Sequence, residues 1–168
     1  FSVNLKTGAF KCFRSSCVYH GHFVELARDV GFEFDHGQKR EYRQLPKRKL
    51  KVRDAALDYL ASRGISAETG KKYNITTQAN NDNILVFPFY DENGVLQSVK
   101  YRNAKFRKGI DKNKEWCEKD CMPILFGMYQ CNPENKTAVI TEGQIDSLTL
   151  AECGIENALS VPTGCNGF

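Results

Sequence analysis

The spacing of apolar residues changes twice along the chain, and each change marks a segment. In positions 1–36, Phe1-Ser2-Val3-Asn4 alternates like a short strand, Lys6-Thr7-Gly8 has turn chemistry, and Ala9-Phe10-Lys11-Cys12-Phe13 reads as a returning strand. Phe23, Leu26, Ala27 and Val30 then recur on one helical face, with Gly31 where a C′ residue belongs. The expected layout is a hairpin, a cysteine-bearing knuckle and one amphipathic helix. Positions 37–51 keep no period and are broken by Pro46, which predicts an exposed linker.

From position 52 the pattern becomes that of a globular body. Val52, Ala55, Ala56, Tyr59 and Leu60 make a helical stripe that stops at Gly64, and 66–69 begins a second short helix capped by Ser66. Positions 84–90 predict a buried strand, Asp91-Glu92-Asn93-Gly94 a turn, and 95–101 its antiparallel return. A strand at 137–141 leads into a helix with apolar Ile145, Leu148 and Ala151. Gly154 ends that helix, and 158–161 is a further strand. Strand, helix and strand in so few residues predict a βαβ unit with a right-handed crossover. The fold class is therefore mixed α/β (α+β), without internal repeats.

Composition narrows the class. The 168 residues are 41% hydrophobic and 11% aromatic, enough for a packed core. The longest apolar run, 84–89, falls far short of the roughly 20 residues a membrane helix needs, and no signal-peptide pattern opens the chain. Seven cysteines exclude a fully paired disulfide framework and suit a reducing, cytoplasmic setting where paired cysteines hold metal. The chain starts without Met and stops in a glycine-rich turn, so it is expected to be a trimmed piece.

Charge is unevenly spread. Positions 39–53 carry eight cations (Lys39, Arg40, Arg43, Lys47, Arg48, Lys49, Lys51 and Arg53) against Glu41. That is a net +7 within a chain of +4, so the rest sums to about −3. Such a field attracts phosphate. Lys100, Arg102, Lys105, Arg107 and Lys108 form a second basic group, in which strand alternation sends Lys100 and Arg102 to one side. Both phosphate binding and a solvated charged surface fit this second group.

Three constellations carry candidate chemistry. At 137–148 an apolar strand delivers Glu142 to its carboxyl end, Gly143 turns the backbone, and Asp146 lies on the first turn of the helix. Ligands of open α/β sheets gather at such strand ends, and carboxylates there suit Mg²⁺ with bound phosphates. The spacing equally fits two acids favoured by a helix dipole. Cys12 and Cys17 are either zinc ligands or free thiols, and His20 and His22 are local candidates to join them. His22 also stands where a helix-capping residue belongs, and His36 is given no role. Cys117 and Cys121 are spaced to share a helical face and, with Cys131, to form a second metal site or to be ordinary free cysteines. Gly64 to Lys72 departs from a P-loop in length and in its last residue, so it is not one.

Val139-Ile140-Thr141-Glu142-Gly143-Gln144-Ile145-Asp146-Ser147-Leu148, with Leu159-Ser160-Val161-Pro162-Thr163-Gly164, resembles the first half of a TOPRIM domain. Such domains occur in bacterial-type primases, type IA and II topoisomerases and some nucleases. Asn4 to Phe13, Cys17 and Gly21-His22-Phe23-Val24 resemble the second half of a primase zinc ribbon, although four residues rather than two separate the cysteines. The order of ribbon, helix, basic linker and TOPRIM unit is similar to that of bacterial and phage-type DNA primases; topoisomerases carry the same Glu without this ribbon upstream.

The resemblance implies a partial zinc-ribbon module at 1–36, a basic linker at 37–51, the N-terminal part of a primase core at 52–136 and the start of a TOPRIM domain at 137–168. It implies template-directed synthesis of short RNA primers for DNA replication, with Glu142 and Asp146 catalytic. A later Asp-x-Asp pair, expected past position 168, would share Mg²⁺ (or Mn²⁺) with Glu142. Gln144 stands where the family often has Glu or an aromatic. Cys12 and Cys17 would be half of a Zn²⁺ site. Lys100, Arg102, Lys105, Arg107, Lys108, Arg40, Arg43, Lys47 and Arg48 would meet nucleotide or nucleic-acid phosphates.

The implied partners are single-stranded DNA template, ribonucleoside triphosphates and a replicative helicase, in trans or fused, in the cytoplasm of a bacterial or phage-infected cell. The piece alone is expected to be inactive. The primase half of a fused primase–helicase and a non-catalytic zinc-ribbon/TOPRIM binding module are the alternative readings.

Overall fold

In the computed structural model, residues 1–4, 6–32, 41–46 and 50–163 are described. They divide into two units, Phe1–Arg40 and Glu41–Phe168.

In the first unit, the Asn4 side-chain oxygen accepts from the backbone N–H groups of Lys6 and Thr7, and Gly8 closes the turn at φ +74°. Strand β1 (Ser2–Val3) thereby pairs antiparallel with β2 (Ala9–Lys11), whose Phe10 is buried. A third strand, β3 (His20–His22), pairs with the other edge of β2. His-Gly-His has no apolar alternation, so periodicity could not announce it. Helix α1 (Phe23–Asp29) follows with His22 at its N-cap, and the His22 backbone N–H donates to the Glu25 carboxylate at 2.7 Å. Gly31 N–H donates to Arg28 O and Phe32 N–H to Ala27 O, the hydrogen bonds of a Schellman stop.

In the second unit, the chain segment before the first helix is tied down at its described positions. Arg43 N–H donates to Asp120 O at 2.7 Å, and the Thr76 hydroxyl donates to Lys51 O at 2.7 Å. The Arg53 guanidinium donates to Gln78 O and Ala79 O, both at 2.8 Å. The described positions of the expected linker, 41–46 and 50–51, are mostly exposed, with these hydrogen bonds to the body.

Helices α2 (Asp54–Ala61) and α3 (Ala67–Lys72) come next, with Ser66 capping α3 through an N–H bond from Thr69 at 3.2 Å. A four-stranded antiparallel sheet follows in the order β4 (Thr76–Gln78), β5 (Asn81–Tyr90), β6 (Leu96–Asn103), β7 (Glu115–Cys117). The β5–β6 turn is organised by Asp91, whose carboxylate accepts from Asn93 N–H, Val95 N–H and the Gln97 amide. One face of β5 sends Leu85, Phe87 and Phe89 into the core, against Ala56 and Leu60 of α2, Ile65, Tyr73, Ile75 and Phe126.

Ile145 and Leu148 close that core from helix α4 (Gln144–Glu152), which connects β8 (Val139–Thr141) to β9 (Ala158–Ser160). The two strands are parallel, Thr141 opposite Ser160, as the βαβ pattern predicts. Phe126 bridges β9 from its other side, exchanging backbone hydrogen bonds with Ser160. The Ser147 hydroxyl, fully buried, donates to Ala158 O at 2.9 Å and fastens the helix to the strand.

Cys117 lies on β7, and Cys121 follows the left-handed Asp120 (φ +57°), so the two do not share a helix face. Four apart is a helical spacing only if the backbone is helical, and here β6 recruits the segment as an edge strand.

At its far end α4 reaches α3. The Glu152 carboxylate accepts from Ser66 N–H at 3.0 Å, the Ser66 hydroxyl at 2.9 Å and the Thr69 hydroxyl at 2.5 Å. The Thr69 hydroxyl, followed by the Ser66 backbone and hydroxyl, holds the Glu152 carboxyl below its ordinary value. A carboxyl lowered in the folded state contributes above the ordinary carboxylate range and loses that contribution as pH falls through the lowered value. Glu152→Gln is therefore expected to lower the melting temperature at neutral pH. The gap to the unmutated chain should close on acidification, and a gap constant with pH would rule the charge out.

Candidate active site at the strand ends

Parallel pairing brings the residues that leave β8 and β9 to the same end. Val161 N–H donates to Thr141 O at 3.1 Å, so the two chains leave side by side. The next residue after β8 is Glu142, exposed at the strand end. Gly143 is the N-cap of α4, with φ −113° and ψ 144°. A Cβ built on Gly143 would lie 2.6 Å from Asp146 Oδ2, so the Asp146 carboxylate folds back over the glycine and would have to swing aside for a side chain there. Two carboxylates, Glu142 and Asp146, are thus presented on one turn, both to solvent. They are hard oxygen donors of the kind Mg²⁺ or Mn²⁺ takes.

Gln144 does not belong to that exposed pair. It is buried, and its amide nitrogen donates to Val161 O at 2.7 Å and to the Ser160 hydroxyl at 3.1 Å. It ties the first turn of α4 to the exit of β9 and so fixes the angle between the two chains at the site. Nothing in the local sequence announces this role, because it depends on a neighbour sixteen residues away.

The second basic group splits. Lys100 is opposite Phe87 on one side and Cys117 on the other, and Arg102 is opposite Leu85 and Glu115. Both cations therefore stand on the face of the sheet that carries the core, as alternation predicted for the pair. The Lys100 ammonium is 2.9 Å from one Glu115 oxygen and the Arg102 guanidinium 2.7 Å from the other, with the Lys100 side chain only 7% exposed. Burial alone raises the Glu115 carboxyl. The Lys100 hydrogen bond and charge, together with Arg102, outweigh it and bring the carboxyl below its usual value. Glu115 was not singled out from sequence, since nothing in Lys114-Glu115-Trp116 reveals that it faces two cations across a strand.

This charged face adjoins the strand ends. Cys117 Sγ is 3.9 Å from Pro162 O, two residues past β9, and burial pushes the Cys117 thiol up. Lys105 and Lys108 are exposed in the following loop, where Arg107 is held by Asp111 through its backbone N–H at 2.6 Å. Arg43 pairs with Glu118 at 2.6 Å, and the Tyr101 hydroxyl donates to the same carboxylate at 3.2 Å. Arg40, Lys47 and Arg48 lie outside the described residues.

In the first unit, Cys12 N–H donates to Tyr19 O and Cys17 N–H to Arg14 O, which folds the knuckle. The Cys12 thiol is lowered from its ordinary value by the Arg14 backbone and then by a hydrogen bond with Cys17. The His20 ring nitrogen is engaged with Val18 O at 2.6 Å, and His22 occupies the helix N-cap. Among the described residues no three His, Cys, Asp or Glu side chains converge, so neither histidine completes a set with the cysteines, and Cys117, Cys121 and Cys131 form none.

No family model matches the chain. It is 26% identical over 161 residues to the Twinkle homolog protein, chloroplastic/mitochondrial, of Arabidopsis thaliana, covering 94% of this chain and 21% of that protein. It is 31% identical over 111 residues to the Primase homolog protein of the same plant, covering 66% and 31%. The chain thus spans 21% and 31% of the curated relatives it matches. Among solved structures, the zinc binding and RNA polymerase domains of Aquifex aeolicus primase superpose with a TM-score of 0.54 at 20% identity, covering 96% of this chain and 56% of that one. The primase fragment of the bacteriophage T7 primase-helicase protein gives 0.50 at 24%, covering 95% and 62%. The mixed α+β fold is the fold of these primases.

The tether at Gln144 has a direct test. Gln144→Glu would turn a carboxylate toward the Val161 carbonyl in a buried position, losing a donor and opposing two negative ends. It is expected to cost about 1–3 kcal/mol in chemical denaturation at neutral pH. A cost near zero would mean the Gln144 amide does not hold the turn.

Proposed function

We propose that this chain is the template-and-nucleotide-handling part of a DNA primase, joining ribonucleotides into a short primer on single-stranded DNA. The observation that carries this reading is the turn after β8. Glu142 leaves a parallel strand end beside Asp146, on the end where the Lys100–Arg102 face meets Pro162. Fold likeness to primase cores and sequence likeness to a primase homologue support it.

Within this reading each residue has a task. Glu142, with Asp146 near it, holds Mg²⁺ or Mn²⁺. Such an ion supplies the positive charge that stabilises phosphates during nucleotidyl transfer. Lys100 and Arg102 neutralise triphosphate oxygens next to those acids, and the exposed Lys105, Arg107 and Lys108 meet phosphates without regard to sequence. Cys12 and Cys17 supply two thiolates to a Zn²⁺ ion that steadies the knuckle, and the first unit contacts template. A reducing compartment suits those thiols. The replicative helicase is the natural partner, since a relative of similar fold is a primase-helicase protein.

In the full-length protein, Glu142→Gln is expected to abolish primer synthesis while leaving the melting temperature and DNA binding nearly unchanged. The substitution keeps shape and deletes the charge that holds metal. Unaltered ribonucleotide incorporation by that variant with Mg²⁺ would overturn the assignment.

A further inference from the structure

Lys100 presents a problem that the proposed function does not solve. A lysine on the core-bearing face of a sheet, 7% exposed and flanked by Phe87 and Cys117, is costly as a cation unless an anion accompanies it. Glu115 is that anion, and it serves Arg102 at the same time, one oxygen to each cation. Three charges share one place, with a surplus of one positive charge. The arrangement is open on the carboxylate side, where the Glu115 and Arg102 side chains are 31% and 27% exposed. An anion arriving from solvent meets Glu115 and Arg102 first and Lys100 last.

Resting on the primase reading of this site, we propose that Glu115 is a built-in substitute for phosphate. It occupies, between Lys100 and Arg102, the position that the triphosphate of an incoming nucleotide takes, and it is displaced when the triphosphate binds. A carboxylate and a phosphate each offer a pair of negatively charged oxygens, one of which can face the Arg102 guanidinium and the other the Lys100 ammonium. The exchange leaves no stage at which Lys100 is buried without a counter-ion. The charge also selects the ligand. A phosphodiester of a nucleic-acid backbone carries a single negative charge, as Glu115 does, and gains nothing by the exchange. A triphosphate carries several on one short group and outcompetes the carboxylate for a pair of cations. Glu115 in this role is a positioning residue: it keeps Lys100 and Arg102 together and ready, and weakens binding of any anion too feeble to replace it.

The test is calorimetric titration of inorganic tripolyphosphate, and separately of oligothymidylate, into this chain and into Glu115→Gln. Removing the competing charge is expected to tighten tripolyphosphate binding by about tenfold, since a charge-assisted pair no longer has to be broken. Oligothymidylate, whose single charges cannot displace the carboxylate in the unmutated chain, should gain more in Glu115→Gln, so that the preference for tripolyphosphate narrows. Adding Lys100→Met to Glu115→Gln should cancel the gain. Tripolyphosphate binding that is unchanged or weaker in Glu115→Gln would overturn the proposal, the weaker result pointing to a scaffold role alone. A preference for tripolyphosphate over oligothymidylate as wide in Glu115→Gln as in the unmutated chain would overturn the selective role of Glu115.

Should Glu115→Gln fail to fold, the carboxyl carbon resonance of Glu115 in the unmutated chain decides. It should move on saturation with tripolyphosphate, and a stationary resonance would overturn the proposal. None of these readouts requires primer synthesis. A failure of Glu142→Gln to abolish synthesis therefore undoes the primase reading separately from this one.

Discussion

Two parallel neighbouring strands cannot be closed by a tight turn, and everything at the candidate site follows from how this chain satisfies that constraint. The connection between β8 and β9 must cross the sheet, so it becomes a helix with an inner side to bury. Ile145 and Leu148 meet Leu85, Phe87 and Phe89 there, in the same core that α2 and Phe126 fill. Once the crossover is in place, both strands leave the sheet at one end. Glu142 and Pro162 then emerge together, without either segment specifying the other's position. The acids need no dedicated scaffold, because the packing that stabilises the body also determines where they stand.

Electrostatics enters as a second requirement on the same surface. The antiparallel sheet turns its Lys100–Arg102 side toward the core rather than to open water, and Glu115 on the edge strand makes that tolerable. Surface ion pairs contribute little to stability, but a pair with one partner nearly buried is different: deleting the acid would leave an uncompensated charge. The strand β7, only three residues long, matters out of proportion to its length because it carries that acid.

The elements legible from sequence are those whose signal is local. The β8–α4–β9 unit combines an apolar run, a glycine turn and a helical stripe, and it was read with only small differences at the strand ends. Gly31, Gly64 and Ser66 marked helix limits through backbone chemistry alone, and each is found in that role. Strands β3, β4 and β7 escaped notice because each is three residues long and exists by pairing with a longer neighbour. For the same reason the site was half visible. Glu142 and Asp146 could be placed by counting from a strand end. Gln144 and Glu115 acquire meaning only through partners sixteen and thirteen or more positions away, which no periodicity encodes. Arg43, expected as a phosphate-binding cation of the linker, has a Glu118 partner seventy-five positions away that no periodicity encodes.

The contact between Glu152 and the start of α3 bears on how such a chain can change over evolutionary time. The acid that completes the cap of one helix is housed on another, eighty-six positions away from Ser66. Recombination that replaced the βαβ unit with a homologous one would import a different residue at that place and leave Ser66 and Thr69 short of an acceptor. The two portions of the body are therefore inherited most safely as one block, and a hybrid joined between them would need the acid at position 152, or a replacement cap on α3, to restore what the exchange removed.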